Sequence, residues 1–227
     1  MARTVNPAVH MVKREAFIEA ALRLMQTRGY EQMSIQDVLD EVDASRGAFY
    51  HYFESKQALL GALVDRIADQ ALAVVAPVVD DPDLTAIQKL ERFFGGIAQY
   101  KSERKALMLE FIKVWKSDDM AIVREKVRHT VLERVAPILG RIVRQGVAEE
   151  IFSVDSADET ATILMTLMLG FQDGATDLYL ARQANTISYE EAEGRLHSFA
   201  RAFERILGAP AGSVRVTDDA TLREWFG

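Results

Sequence analysis

Between Ser34 and Lys56 the chain reads SIQDVLDEVDASRGAFYHYFESK, and its polar residues suit one kind of chemistry. Arg46 carries a planar fork of donors that can pair with two acceptors on a guanine edge. Tyr50, His51, Tyr52 and Lys56 offer donors suited to phosphate oxygens. Gly47 and Ala48 add almost no bulk, so a helix carrying them can approach a backbone or groove closely. Ser34, Gln36 and Ser45 complete the polar set near the starts of two short segments. A plainer reading stands beside this one. Tyrosines such as Tyr50 and Tyr52 often pack their rings and leave the hydroxyls wet.

Two short helices must position these groups. Ile35, Val38, Leu39 and Val42 recur at three- and four-residue steps and so line one face of a helix. Ser34 with Asp37 reads as a capping box with Asp in place of Glu. Asp43-Ala44 interrupts the pattern, and Ser45 can cap a second helix through Tyr52. Phe49 and Phe53, four residues apart, face inward together. Helices joined by so short a turn cross rather than lie side by side, as in a helix-turn-helix.

The run Ser45-Arg46-Gly47-Ala48-Phe49-Tyr50-His51-Tyr52-Phe53-Glu54-Ser55-Lys56 resembles the DNA-binding signature of the TetR family of one-component regulators. The resemblance is close over about the first 60 residues and extends to the rest only in layout. It implies an all-α fold, with an N-terminal three-helix head on a larger helical ligand-binding and dimerisation body. It further implies double-stranded DNA with a palindromic operator, a small-molecule effector and a homodimer. Its DNA contacts would come from Ser34, Gln36, Ser45, Arg46, Gly47, Ala48, Tyr50, His51, Tyr52 and Lys56.

Composition sets the bounds. The chain has 227 residues, 49% of them hydrophobic, and no cysteine. It can bury a sizeable core, and disulfides, cysteine metal sites and thiol nucleophiles are excluded. No run reaches the ~18 apolar residues of a membrane helix, and the N-terminus lacks an apolar signal core, so a cytoplasmic protein with no membrane partner is expected. Net charge runs against a simple basic footprint, at −7 overall. Residues 1–56 carry 7 basic and 8 acidic side chains, and Asp40, Glu41 and Asp43 cluster before the second motif helix. Modest non-specific affinity and a shallow salt slope follow.

In chain order, residues 1–10 read as a mobile arm and Met11 to Arg28 as the first helix. The head is expected to span 1–56, linked by a helix over 56–76 to a body over 77–227. Pro77 to Leu84 is expected to break the chain. Thr85 with Gln88 opens the next helix, Ser102 another, and Ser117 a long one that Pro137 kinks or splits. Ser156 with Glu159 and Ser188 with Glu191 open two long helices, about 156–182 and 188–207. The first is apolar on so many sides that a partner copy should cover it. Behind Asp218 the tail is a docked short helix or a loose end.

Large and soft side chains in the body could line an effector pocket. These are Phe93, Phe94, Tyr100, Met108, Phe111 and Trp115 in the middle helices, and Met165, Met168 and Phe171 nearer the C-terminus. Gln172 and Asp173 are polar candidates within an apolar stretch. Each apolar candidate serves equally as core filling, and Asp173 could instead cap across a dimer interface. Enzymatic readings find no support, since the four histidines are scattered and no nucleophile, metal or phosphate-loop pattern appears. No cofactor or metal is expected. The function read from the sequence is a ligand-responsive repressor released from DNA by a small hydrophobic or amphipathic molecule. The alternative is a helical interaction module whose head no longer binds DNA.

Overall fold

The computed structural model describes residues 7–227, and the described residues are helices and connections without strands. The chain divides into two compact units. The first runs up to Ala68 and takes in Arg104–Val127 as well; the second holds Asp69–Glu103 and Arg128–Gly227. Three crossings of the chain therefore replace the single boundary expected between 56 and 77.

The first unit is built on α1 (Pro7–Arg28), α2 (Ile35–Val42), α3 (Arg46–Tyr52) and the start of α4 (Lys56–Asp80). Helix α1 begins before Met11, so Pro7 to His10 belong to it; the remainder of the expected arm lies outside the described residues. Phe17, Met25, Phe49, Leu59, Leu60 and Leu63 are fully buried and make one core. Onto that core pack Leu107, Phe111 and Val114 of α6 (Lys105–Trp115), with Met120 and Val123 beyond it. This apolar stripe is why 104–127 joins the head residues: its partners are long-range, and sequence spacing cannot name them. Ion pairs add to the fit, with Arg66 of α4 meeting Glu15 at 2.8 Å and Glu19 at 2.6 Å on α1.

The second unit holds the rest of α4, α5 (Ala86–Glu103), α8 (Ala136–Ala148), α9 (Ala157–Gln183), α10 (Tyr189–Leu207) and α11 (Asp219–Phe226). Its main core gathers Val75, Leu90, Phe93, Leu139, Ile142, Leu164 and Phe203. Helix α4 passes through Pro77 instead of stopping there. Proline removes one backbone donor, but Val75 and Val79 are buried on either side of it. Lys89 Nζ then donates to the Val79 carbonyl at 2.7 Å, capping the last turn. Ser102 does not open a helix either. It lies inside α5, the break falls at Arg104, and the Ser102 hydroxyl accepts from Trp225 Nε1 at 2.9 Å.

Past Ser117 a single 3₁₀ turn (Asp118–Met120) precedes α7 (Ala121–Arg134), and the proline splits the long pattern, with Pro137 in the first turn of α8. The tail is the docked short helix of the two expectations. Asp218 caps α11, Leu222 and Phe226 are buried beside Leu178 and Leu196, and Arg182 Nε donates to the Phe226 carbonyl at 2.8 Å.

Candidate nucleic-acid interface

The α2–α3 pair is fixed by caps at both starts and by aromatics beneath. Ser34 accepts from the Asp37 amide at 3.1 Å, and the Ser34 amide donates to Asp37 Oδ2 at 2.8 Å, so the box is reciprocal. Arg28 Nη1 lies 2.8 Å from Asp37 Oδ1. The bonds from the Ser34 hydroxyl and amide, and then Arg28, hold the Asp37 carboxyl below its ordinary range. A carboxyl depressed in this way stabilises the fold above its unfolded pKa, and the contribution is lost as pH falls through the lower, folded value. Ser34→Ala should cost about 1 kcal/mol, within the 0.5–2 kcal/mol range for such caps. It should also bring the onset of acid unfolding to higher pH. A urea titration at neutral and acid pH checks both, and an unchanged midpoint would deny the box its role.

Ser45 caps α3 by accepting from the Ala48 amide at 3.2 Å. Phe49 is fully buried, edge-on to Phe17 with centroids 5.7 Å apart, and 5.8 Å from Phe53. With that face inward, α3 turns Arg46, Gly47, Tyr50 and His51 to solvent, Tyr50 at 50% exposure. A Cβ built on Gly47 would meet only Ser45 Oγ, at 4.0 Å. Nothing inside the fold requires a glycine there.

The other sequence candidates sit less freely. Ala48 is half-buried, and Tyr52 is half-buried against Phe17, with centroids 5.7 Å apart. Gln36 is exposed, and its amide donates to Asp40 Oδ1 at 2.7 Å. Lys56 is half-buried. Its ammonium donates to the Tyr30 carbonyl at 2.6 Å and stands 4.1 Å over the Tyr30 ring, which anchors α4 to the α1–α2 connection. The acidic cluster that weighed against a nucleic-acid partner is partly balanced from α1. Arg23 Nε reaches Glu41 Oε1 at 2.6 Å, as Arg28 reaches Asp37. Sequence reasoning missed these arginines and His10, whose ring lies against His51 and Tyr52. No local spacing could have shown pairs that join separate helices.

The effector candidates do not form one wall within either unit. Met108, Phe111 and Trp115 belong to the first core; Phe93, Phe94, Met165 and Met168 lie buried in the second. Tyr100 is buried in the second unit, with its hydroxyl donating to Gln70 at 2.7 Å. Phe171 and Gln172 are half-buried, the Gln172 carbonyl accepts from Thr176, and Asp173 is exposed. A cleft of about 340 Å³ opens in the first unit between residues 26–32 and Glu110, Lys113 and Val114, and none of the candidates lines it.

Residues 17–63 match the family described as bacterial regulatory proteins, tetR family. Among curated relatives, YuxN of Bacillus subtilis, an uncharacterised HTH-type transcriptional regulator, is 32% identical over 39% of this chain and 32% of its own length. The HTH-type transcriptional repressor DhaR of a Mycobacterium species is 23% identical over 38% and 43%, respectively. The chain thus spans less than half the length of these relatives. Solved structures reach further along the chain. RolR in complex with the ligand resorcinol superposes with a TM-score of 0.61 at 17% identity, covering 96% of this chain and 95% of that one. A TetR regulator from Haloarcula marismortui gives 0.60 at 20% identity, covering 85% and 98%. At such identities the structures speak to the fold alone: a helix-turn-helix head on a helical body. The family match itself is confined to residues 17–63, and over the rest of the chain the likeness is one of fold. YuxN, DhaR and the Haloarcula marismortui protein each carry the name of a transcription regulator or repressor.

Proposed function

We propose that this chain is a DNA-binding transcriptional regulator that reads a palindromic operator as a homodimer and is released from it by a small hydrophobic or amphipathic molecule. The observation that carries the reading is the outward face of α3. A seven-residue helix capped by Ser45 and anchored by Phe49 presents Arg46, Gly47, Tyr50 and His51 together. A helix N-terminus entering the major groove with such residues is how helix-turn-helix heads read base edges. Two-fold pairing of heads then demands a two-fold site.

For the dimer, α9 and α10 are the proposed contact. Helix α9 leaves Ile163 at 53% and Leu180 at 42% exposure, with Thr162, Thr166 and Gly170 also exposed. Such a surface suits a second copy of the same helix. The effector would be held in the body; RolR, a protein of like fold, has been solved in complex with the ligand resorcinol. It would release DNA by favouring one setting of α4 over another, which requires unequal affinity for the two states. Repression is the reading adopted, and DhaR carries the name of repressor. The cytoplasm is the compartment such a protein would work in.

Selection of bound duplexes from a random pool at two salt concentrations tests the reading. A recovered palindrome supports it, and no enrichment at either salt would favour an interaction module instead. With the selected duplex, Arg46→Ala should cost about 1–3 kcal/mol and relax base preference at one position of each half-site. Competition binding against single-base variants measures this. A loss equal across all sequences would make Arg46 a phosphate contact.

A further inference from the structure

At the edge of the reading helix, two histidines from different helices stand together. The His10 ring on α1 is 5.4 Å from that of His51 on α3, nearly perpendicular at 78°, and 4.6 Å from that of Tyr52. His51 in turn lies edge-on to Tyr52 at 5.1 Å. His51 is exposed, His10 half-buried, and His51 occupies the last turn of α3. We infer that His10 and His51 form a proton-linked contact with DNA, so that the pair takes up protons as the head docks and binding tightens as pH falls. The inference rests on the DNA-binding reading above and gives it a regulatory input.

The physical argument concerns where two imidazolium charges can be tolerated. Imidazole is the side chain whose charge ordinarily changes near neutral pH. Two such cations 5.4 Å apart repel one another, and Lys13 and Arg14, one turn along α1 from His10, add to the repulsion. Arg14 stands 5.3 Å over the Phe53 ring. Arg46 is the other cation of α3, and Lys56 of α4 is held at Tyr30.

The acids on the packed elements offer limited relief. Asp37 and Glu41 of α2 are committed to Arg28 and Arg23, Asp40 accepts from Gln36, and Asp43 and Glu54 lie in the connections that flank α3. Phosphates supply the missing counter-charge when DNA docks. The proton affinity of the pair is then higher in the complex than in the free protein. By linkage, such groups strengthen binding at low pH and cease to do so as pH rises past their range in the complex.

The test is fluorescence anisotropy with the duplex selected at neutral pH, at fixed ionic strength, between about pH 6 and pH 8. Binding by the unaltered protein should be about tenfold tighter at the acid end. His10→Gln and His51→Gln should each reduce that ratio, and the double variant should bring it to less than about twofold. Calorimetric titration of the unaltered protein in two buffers of different ionisation enthalpy counts the protons directly, independent of whether the variants fold. Net uptake on binding supports the inference. A flat profile with binding retained, or a slope surviving in the double variant, overturns it and leaves the DNA-binding reading standing. Absence of binding at every pH overturns both.

Discussion

Phe49→Ala should destabilise the first unit by about 3–5 kcal/mol, the usual cost of truncating a buried phenylalanine, and abolish DNA retention. The side chain is fully buried and touches the head's other aromatics on two sides, Phe17 edge-on and Phe53 tilted. Its helix has only seven residues. A helix that short is not stable by itself in water, so α3 persists only because its inner face is packed. Removing the ring therefore costs more than a cavity, since it frees the element that carries Arg46, Tyr50 and His51. Hydrogen exchange distinguishes this from general unfolding. Amides of α1 to α3 should lose protection while those of α8 and α9 keep theirs. A loss below about 1 kcal/mol would mean that the site collapses around the smaller side chain and that Phe49 is not the anchor.

What could be read from the sequence was local. Ser34, Ser45, Thr85, Ser156 and Ser188 were legible as helix starts because a cap acts on amides two or three residues away. Helix faces were legible from their period, and the helix-turn-helix from the order of residues in its run. What escaped was decided by partners far along the chain. Pro77 looked like a stop because its own chemistry says so; the buried valines beside it and Lys89 ten residues beyond Val79 decide otherwise. Ser102 looked like a cap, but its hydroxyl serves Trp225, 123 residues away. Lys56 was read as a phosphate donor, and its bond to the Tyr30 carbonyl, 26 residues away, could not be read from spacing. The effector candidates show the same limit. Residue type marks Phe93 and Phe111 alike as large and apolar, and only the fold puts them in different cores.

Gly146→Ala should cost about 2 kcal/mol net, although the glycine lies in a helix, where alanine is intrinsically better by about 1 kcal/mol. The opposing effect is steric. A Cβ at 146 would stand 2.0 Å from Cδ2 and 2.3 Å from Cε2 of Phe152, inside any permissible contact. The ring has little freedom to withdraw. Phe152 is only 4% exposed, and the amides of Ile151 and Phe152 both donate to the Gly146 carbonyl, at 2.9 and 3.0 Å. Moving the ring means opening the turn that ends α8 and disturbing the core beneath it, where Ile142 and Val143 are fully buried. Overpacking typically costs about 1–3 kcal/mol, and an approach of 2.0 Å puts this site at the upper end, so about 2 kcal/mol remains after the propensity gain. For a chain of this size, thermal unfolding should fall by roughly 4–8 °C. Phe152→Leu in the same background should recover part of the loss, because a smaller side chain can make way for the methyl group. An unchanged or raised melting temperature for Gly146→Ala would show that the ring swings aside at no cost, and that helix propensity rather than packing governs this turn.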